Sequence, residues 1–259
     1  GINPSDAVYL MTPDRFANGD PSNDEVTGLK EGLSRDLAYG RHGGDIAGIK
    51  NHLDYIKDMG FTAIWLNPVL INDQKEWSYH GYATTDYYKV DPRFGSNKEY
   101  MTLAKSASKE GVGMIMDIIV NHCGSEHSWM ADPPFNDWIN NLSDSYQGTN
   151  HRKETLLDPY ASEIDRKIMV EGWFVPAMPD LNQRNAFMSK YLIQNSIWWI
   201  EYAELKGIRQ DTYSYPFRSF MTDWTCAIMN EYPNFFIVGE EWIDDASMIS
   251  YWQKDKDNV

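Results

Sequence analysis

Residues 113–122 read Gly-Met-Ile-Met-Asp-Ile-Ile-Val-Asn-His, an apolar run that contains one carboxylate, Asp117, and ends on Asn121 and His122. A short apolar run rich in branched side chains predicts a buried strand. In parallel α/β architectures, polar side chains at the carboxyl end of a strand mark the edge that carries the chemistry. The stretch therefore predicts a strand with functional residues at its end.

Four further strands are predicted around this one, and polar side chains lie at or after their carboxyl ends. The strands cover residues 7–11, 62–66, 207–211 and 235–239, and the polar side chains are Asp14, Asn67, Asp211 and Glu240. Helices are predicted between the strands, over residues 44–60 with Asp45 as cap, 96–111, 186–206 and 218–232, and from Asp245 onward. Strands that alternate with helices predict parallel strands joined by helical crossovers.

Two architectures fit this alternation, an open doubly wound sheet and a (β/α)8 TIM barrel. No glycine-rich phosphate loop follows the first strand, which weakens the doubly wound, nucleotide-binding alternative. Polar side chains at the ends of successive strands favour the barrel. The predicted fold class is therefore α/β of the (β/α)8 TIM-barrel type, incomplete here because only about five strands are recognisable.

The strand–helix rhythm stops between residues 123 and 177, which are rich in Trp, Asn, Asp, Ser and Pro. A stretch this long without periodicity inside a compact unit is usually functional or a small inserted domain. The predicted organisation is a first part of the barrel over 1–122, an inserted domain B over 123–177 between strand 3 and helix 3, and the continued barrel over 178–259.

Composition excludes several classes of partner. The formal net charge of −15 makes nucleic acid and anionic membranes poor partners. No apolar run approaches the ~20 residues that span a bilayer, and a periplasmic or extracellular location is expected ahead of a cytoplasmic one. Cys123 and Cys226 fit no metal-ligand spacing and are predicted to be buried free thiols rather than a disulfide.

Asp211 and Glu240 end consecutive predicted strands. Cleavage of a glycosidic bond requires two carboxyl groups, one ionised and one protonated. Arg209 shares a strand face with Asp211 and should keep that carboxylate ionised. The apolar run before Glu240 and the negative charge of Glu241 should raise the pKa of Glu240, as a general acid requires. The alternative is an ordinary Arg–Asp ion pair with a solvated glutamate nearby.

These residues lie in motifs that resemble the α-amylase superfamily, glycoside hydrolase family 13. Residues 117–122 resemble its first signature region, 207–212 the region that bears the nucleophile, and 239–242 the region that bears the acid/base. Residues 178–182, Met-Pro-Asp-Leu-Asn, resemble an accessory region of neopullulanases, cyclomaltodextrinases and oligo-1,6-glucosidases. Several short motifs in the family's order are more specific than any one of them alone.

The resemblance implies a retaining double displacement through a covalent glycosyl-enzyme. By position, Asp211 is the nucleophile, Glu240 is the acid/base, and Arg209 orients Asp211. Asp117 and Asn121 would support these groups from behind.

The resemblance also implies contacts to the sugar that precedes the cleaved bond. Tyr82 would stack beneath that sugar, and His122 would donate a hydrogen bond to it. His80 is a further candidate for contact with substrate, with a hydrogen bond to a loop carbonyl as the alternative.

A calcium site is predicted near the amino terminus, because oxygen ligands are concentrated between residues 18 and 24. Neopullulanase-type members resemble the chain here and add ligands from the turn at residues 43–45. The implied ligands are Asn18, Asp20, Asn23, Asp24, Gly43 and Asp45. The alternative is an Asx-rich turn in which Asp45 only caps a helix. The ion would tie two loops together and take no part in the chemistry.

The chain departs from the family pattern in two places. Gln210 stands where the family usually has an apolar residue, so an unpaired polar side chain is expected in the helical layer. The Asn-His-Asp of the fourth signature region is absent from this sequence. The chain therefore resembles the first part of a longer enzyme, and we expect it to be inactive alone, to self-associate through open barrel edges, or to bind a missing carboxyl-terminal fragment.

The predicted function is retaining hydrolysis of α-glucosidic bonds in maltooligosaccharides, cyclodextrins, pullulan or starch. The alternatives are a non-catalytic barrel of the same superfamily, which would have lost its catalytic carboxylates, and a glucan-binding protein, which would keep aromatic residues without the carboxylate pair. The chain keeps Asp211, Arg209, Glu240 and His122, which favours the enzyme.

Overall fold

The structure, a computed structural model, describes residues 1–142 and 146–253. Its main element is a parallel five-stranded sheet in the order β1-β2-β5-β6-β7. The described strands are β1 (Val8–Met11), β2 (Ala63–Leu66), β3 (Leu70–Ile71), β4 (Asp86–Val90), β5 (Gly113–Ile118), β6 (Gly207–Gln210) and β7 (Phe236–Gly239). The five sheet strands match the five that the sequence predicts, and the sheet forms a partial barrel.

The described helices are α1 (Pro13–Phe16), α2 (Ile46–Asn51), α3 (Leu53–Asp58), α4 (Asn97–Lys109), α5 (Glu163–Glu171), α6 (Ala186–Ala203), α7 (Arg218–Glu231) and α8 (Ala246–Ser250). Of these, α2, α4, α6 and α7 contact one another and form the helical layer beside the sheet. The helical layer buries large aromatic rings, among them Tyr100, Trp199 and Trp224. The indole of Trp199 donates to the carbonyl of Tyr87 at 2.9 Å, which satisfies its polar atom inside the core.

The sequence prediction was wrong about the helix over residues 44–60. Asp45 caps it as expected, because its carboxylate accepts from the amide of Gly48. The helix then breaks at His52, whose φ of −119° and ψ of 21° are not helical. The imidazole Nδ1 of His52 lies 2.7 Å from the carbonyl oxygen of Gly48, so this side chain takes an acceptor that an unbroken helix would use internally.

Two elements have no counterpart in the predictions. The antiparallel pair β3–β4 projects from the connection between β2 and α4. Helix α5 lies inside the segment 123–177, for which the sequence shows no strong period. Both elements are short, and strands of two residues leave no periodic signal.

The cysteines are free, as predicted, but only one is buried. Cys123 is buried and Cys226 is exposed. Cys226 lies on the outer side of α7, where helical position rather than local composition decides exposure. Among the described residues, no helix combines the length and the apolar character needed to cross a membrane.

The inward face of the partial barrel is open at both ends of the sheet. Leu10 is in register with Trp65, and Val238 is in register with Arg209, so these side chains point to the same side as the polar groups of the cleft. Leu10 is 50% exposed and Val238 is 40% exposed, although both occupy strands. Within the described residues, β1 and β7 each pair on one side only. Exposed strand edges with apolar side chains favour association.

We expect the 259-residue chain by itself to self-associate with increasing concentration. The substitution Leu10→Lys should reduce this association, because a charge on an edge strand opposes pairing. The control Leu37→Lys places the same charge at a comparably exposed leucine away from the sheet. Light scattering over a concentration series measures the effect. A monomer at all concentrations, or equal effects of the two variants, would contradict the expectation.

Candidate active site

Arg209 connects three carboxylates at the carboxyl edge of the sheet. Its Nη1 lies 2.8 Å from Asp117 Oδ1 and 2.8 Å from Asp211 Oδ1, and its Nη2 lies 2.5 Å from Glu240 Oε1. The arginine is buried, and the guanidinium is the one cation within ion-pair distance of all three groups in the described chain. The structure thus brings together the three residues that the sequence predicted to be catalytic, and it places Asp117, the predicted support, on the same arginine.

Strand register produces this convergence. Asp117 of β5 is in register with Arg209 of β6, so both side chains project to the same face. The amide of Asp211 donates to the carbonyl of Ile118, and the amide of Glu240 donates to the carbonyl of Gln210, each at about 3 Å. The backbone hydrogen bonding of the sheet therefore continues one residue beyond each strand, and it fixes the backbone positions of Asp211 and Glu240.

Thr212 links the two carboxylates from the other side. Its amide donates to Glu240 Oε2 at 2.9 Å, and its hydroxyl donates to Asp211 Oδ2 at 3.1 Å. Its φ is 49°, a left-handed conformation that is rare for a β-branched residue. This conformation aims the amide at Glu240. Trp242 adds a third donor, with its indole Nε1 2.7 Å from Glu240 Oε1.

The electrostatic environment of the two carboxyl groups differs from the sequence expectation. Burial, together with the charge of Asp117, raises the pKa of Asp211 to about 8 in spite of Arg209. Partial burial pushes the pKa of Glu240 upward, but the donors Thr212 and Arg209 outweigh it and lower that pKa below its usual range. Burial also raises the pKa of Asp117 to about 6, against the opposing effect of Arg209.

In the free protein the pKa of Asp211 is thus shifted upward and that of Glu240 downward, opposite in direction to the sequence expectation, while the catalytic roles of the two residues stay predictions. One guanidinium pairs with three carboxylates, so part of their negative charge is not compensated. This remaining charge, together with burial, raises the pKa of the buried carboxyl groups. Glu240 also accepts from the Asp211 carboxyl, so these two groups titrate as a pair. Arg209 alone could not predict this, because the sequence does not show that Asp117 shares it.

Tyr82 lies at the bottom of the cleft, held by polar contacts to the sheet. Its hydroxyl donates to Asp117 Oδ2 at 3.1 Å and accepts from Asn67 Nδ2 at 3.0 Å. Its ring lies 5.7 Å from the Arg209 guanidinium. Trp65 donates to the same Asp117 oxygen at 3.0 Å. These contacts fix the plane of the Tyr82 ring and place it next to the carboxylates.

His122 and His80 both line the cleft as neutral rings. Burial lowers the pKa of each imidazole to about 4. His80 Nδ1 accepts from the amide of Tyr82 at 2.9 Å, which leaves the proton on Nε2. His122 has partners at both nitrogens, Asn121 Nδ2 and the carbonyl of Tyr82, each at 3.2 Å. His80 therefore contacts a loop amide rather than the loop carbonyl expected as its alternative, and His122 must exchange a partner before it can bind a sugar.

The cleft above these groups has a volume of about 490 Å³. Seven of its lining residues were not predicted as site residues: His151, Lys153, Phe174, Met178, Thr212, Tyr215 and Trp242. The first three come from the segment that interrupts the barrel, so no local pattern shows that they return to the strand ends. The aromatic content of this segment was the one signal that could have pointed to them. The boundaries 1–122, 123–177 and 178–259 stay predictions.

The candidate calcium site contains unsatisfied oxygen atoms. Asn18 Oδ1 and Asn23 Oδ1 are buried and have no hydrogen-bond partner within the described chain. Asp24 Oδ1 accepts from Asn18 Nδ2 at 2.7 Å and lies against Gly43, where a Cβ atom would meet it at 2.4 Å. Gly43 has a φ of 85°, so the turn that brings its backbone to Asp24 requires glycine.

The remaining two predicted ligands are occupied by amides. Asp45 accepts from the amides of Gly19, Asp20 and Gly48 at 3.0, 2.8 and 2.6 Å. Asp20 Oδ1 accepts from the amide of Ser22 at 3.0 Å. No cluster of three His, Cys, Asp or Glu side chains suited to a metal occurs in the described ranges. The buried side-chain oxygen atoms without a hydrogen-bond partner in this region of the described chain are thus those of Asn18 and Asn23, and Asp24 lies beside them.

Gln210 behaves as the sequence predicted. It alternates with Arg209 along β6 and so faces the helical layer, and it is fully buried. Neither its oxygen nor its nitrogen has a partner in the described part of the chain. Nothing in the structure explains this residue.

Known proteins are similar to the chain in sequence. It is 32% identical over 238 residues to a cyclomaltodextrinase of Geobacillus thermopakistaniensis, covering 91% of this chain and 38% of that protein. It is 34% identical over 247 residues to a beta/alpha-amylase of Paenibacillus polymyxa, covering 94% of this chain and 19% of that protein. The chain thus spans well under half the length of these curated relatives.

A solved structure agrees with the sequence relatives. The crystal structure of an α-amylase from Geobacillus thermoleovorans, complexed with acarbose, superposes with a TM-score of 0.76 at 34% identity, covering 95% of this chain and 48% of that one. The family described as alpha amylase, catalytic domain, matches residues 10–259. Sheet order, clustered carboxylates and sequence therefore agree, and the chain belongs to the α-amylase family, glycoside hydrolase family 13.

Proposed function

We propose that this chain carries the catalytic groups of a retaining glycoside hydrolase that cleaves α-glucosidic bonds. The observation that supports this most strongly is the bridging of Asp117, Asp211 and Glu240 by Arg209 at the floor of a cleft. A double displacement requires two carboxyl groups that flank the cleaved bond, and Asp211 and Glu240 supply such a pair. Aromatic rings in the cleft suit the apolar faces of sugars, as in other carbohydrate sites.

In the proposed mechanism, Asp211 attacks the anomeric carbon and forms a covalent glycosyl-enzyme while Glu240 donates its proton to the leaving oxygen. Glu240 then removes a proton from water, and that water attacks the anomeric carbon and releases Asp211. Arg209 stabilises the ionised form of Asp211 whenever the nucleophile is free. Two inversions at one carbon retain the anomeric configuration.

The carboxyl pair must hold one proton for this reaction, and the proton must be on Glu240 when substrate is bound. In the free protein the raised pKa of Asp211 and the lowered pKa of Glu240 favour the opposite arrangement. A sugar between the two groups would separate them and remove their direct hydrogen bond. We propose that substrate binding transfers the proton from Asp211 to Glu240 and thereby prepares both groups.

The sugar contacts follow from the same geometry. The Tyr82 ring, fixed by Asp117 and Asn67, forms the platform for the sugar that precedes the cleaved bond. His80 carries its proton on Nε2 and can donate it, because Nδ1 is occupied by an amide. His122 donates to the sugar once its bond to the Tyr82 carbonyl is given up.

We propose α-glucans as the substrate class, with maltooligosaccharides, cyclodextrins, pullulan and starch as candidates. Several curated relatives support this class, since they are named cyclomaltodextrinase, maltogenic amylase and neopullulanase. We also propose that calcium binds at Asn18, Asn23, Asp24 and the Gly43 carbonyl, with Asp20 and Asp45 shaping the turn. Calcium would join the first loop to the turn before α2 and supply no catalytic group.

The direct test is kinetic. In the full-length protein, Asp211→Asn and Glu240→Gln should each lower kcat on starch and cyclodextrin by about 10³-fold or more, because nucleophile and acid act as a unit. The control Asp58→Asn changes an exposed carboxylate of α3 and should have no effect. Proton NMR of fresh products should show the α-anomer. Near-normal turnover of either variant, or β-anomeric product, would refute the assignment.

The pH dependence follows from the shared proton. The full-length protein should show a bell-shaped profile of kcat/KM, since only the singly protonated pair is active. Activity should fall as pH rises through about 8, where the last proton leaves, because burial and Asp117 raise the pKa of Asp211. It should fall on the acid side only below the ordinary glutamate pKa of about 4.3, because donors lower the pKa of Glu240. An alkaline limb in the ordinary carboxyl range would contradict this electrostatic picture.

Calcium should raise the melting temperature of the protein. A ligand present at 100 times its Kd stabilises the folded state by about 2.7 kcal/mol. Asp24→Ala should abolish the calcium-dependent shift, whereas Asp36→Ala, an exposed carboxylate of the same loop region, should preserve it. Differential scanning fluorimetry with EDTA and with added calcium measures both. An identical melting temperature with EDTA and with calcium would contradict calcium binding and would favour the alternative, an Asx-rich turn without a metal.

A further inference from the structure

A buried lysine connects the inserted segment to the loop after β7. Lys153 begins a short 3₁₀ turn at residues 153–156, far from the barrel in sequence. Its ammonium donates to the carbonyl of Trp242 at 2.9 Å and lies 2.8 Å from Glu241 Oε1. The side chains of Lys153 and Glu241 are only 9% and 8% exposed, so this is a buried ion pair between two distant segments.

Glu241 depends on this lysine for charge balance. Both of its carboxylate oxygens are buried, and the Lys153 ammonium, 2.8 Å from Oε1, is the cation paired with them in the described chain. An ammonium has three N–H donors, so it can face Glu241 while it donates to the Trp242 carbonyl. A buried carboxylate that loses its counter-ion is strongly destabilising.

Two neighbours hold the lysine in place. Its ammonium lies 5.2 Å from the centre of the Tyr215 ring, within the range of a cation–π contact. The Tyr215 hydroxyl lies 2.9 Å from Nδ1 of His151, two residues before the lysine. His151 has a φ of 54°, a left-handed conformation that few non-glycine residues adopt but that histidine tolerates better than most. The backbone of the inserted segment is thus shaped to present Lys153 to the loop after β7.

From these contacts we infer that Lys153 is a positioning residue for the general acid/base, an inference that rests on the proposed function of Glu240. Two successive hydrogen bonds connect them: the ammonium holds the Trp242 backbone, and the Trp242 indole donates to Glu240 Oε1 at 2.7 Å. Lys153 itself does not contact Glu240. It fixes the loop that aims the acid at the leaving oxygen, and it couples the placement of the inserted segment to proton transfer.

The exposure of the loop after β7 explains why a side chain from another segment is needed to hold it. Glu240 belongs to the less buried part of the cluster, and Trp242 is 79% exposed. Without the lysine, Glu240 would keep its contacts to Arg209 and Thr212, but the backbone of Trp242, which directs the indole toward Glu240, would lose the ammonium that holds it. A displacement of about 1 Å at a catalytic group can cost 10²-fold in rate.

The test is Lys153→Met in the full-length protein, assayed on two substrates. On maltooligosaccharide, kcat/KM should fall about 10- to 100-fold, because the leaving oxygen needs a well-placed proton. On 2,4-dinitrophenyl maltoside, whose leaving group needs no proton, kcat/KM, which reports formation of the glycosyl-enzyme, should fall less than threefold. Lys153→Arg should recover part of the loss. The control Lys167→Met removes an exposed lysine of the same segment, which pairs only with Glu171 within α5, and should change neither rate.

The variants separate the possible outcomes. Equal losses on the two substrates would show a general structural role and overturn the inference. If Lys153→Met does not fold, the double variant Lys153→Met/Glu241→Gln removes the unpaired charge, and the same selective loss is required of it. Glu240→Gln provides the reference, because it should lose more activity on maltooligosaccharide than on the dinitrophenyl substrate. If Glu240→Gln shows this difference and the lysine variants do not, the positioning role of Lys153 is refuted. If Glu240→Gln does not show it either, the proposed function of Glu240 is refuted.

Discussion

One buried guanidinium organises this molecule. Arg209 contacts Asp117 of β5, Asp211 beyond β6 and Glu240 beyond β7, so three consecutive elements of the sheet meet at one side chain. A buried carboxylate without a partner is strongly disfavoured, so each of these strands must end where the arginine can reach it. Arginine suits this position because its planar fork offers several donors in fixed directions and stays charged.

The excess of negative charge in this cluster has a chemical consequence. Three carboxylates share one cation, so the group retains a proton well above the pH at which isolated carboxyl groups lose theirs. Burial raises the pKa of Asp211, while the donors Thr212 and Trp242 lower the pKa of Glu240. The site is thus a proton-sharing pair whose arrangement depends on what occupies the cleft.

The inserted segment completes the cleft from outside the barrel. His151, Lys153 and Phe174 come from it, and their partners Tyr215 and Trp242 come from loops after β6 and β7. Phe174 also stacks against His122 at 5.7 Å, which joins the segment to the loop after β5. Buried charge and aromatic contacts at these junctions make the segment part of the site and not an appendage.

The sequence by itself determined the five sheet strands, the cap at Asp45 and the residues that end on the active edge, because these depend on apolar period, local hydrogen bonds and motifs of a few residues. It also placed Gln210 in the helical layer, since alternation along a strand is local. It could not show the break at His52 or the exposure of Cys226, which depend on packing. Only the tertiary structure decided how protons divide between Asp211 and Glu240 and which residues of the inserted segment reach the cleft. Both depend on the distances between groups that are far apart along the chain, and a linear pattern carries no such distances.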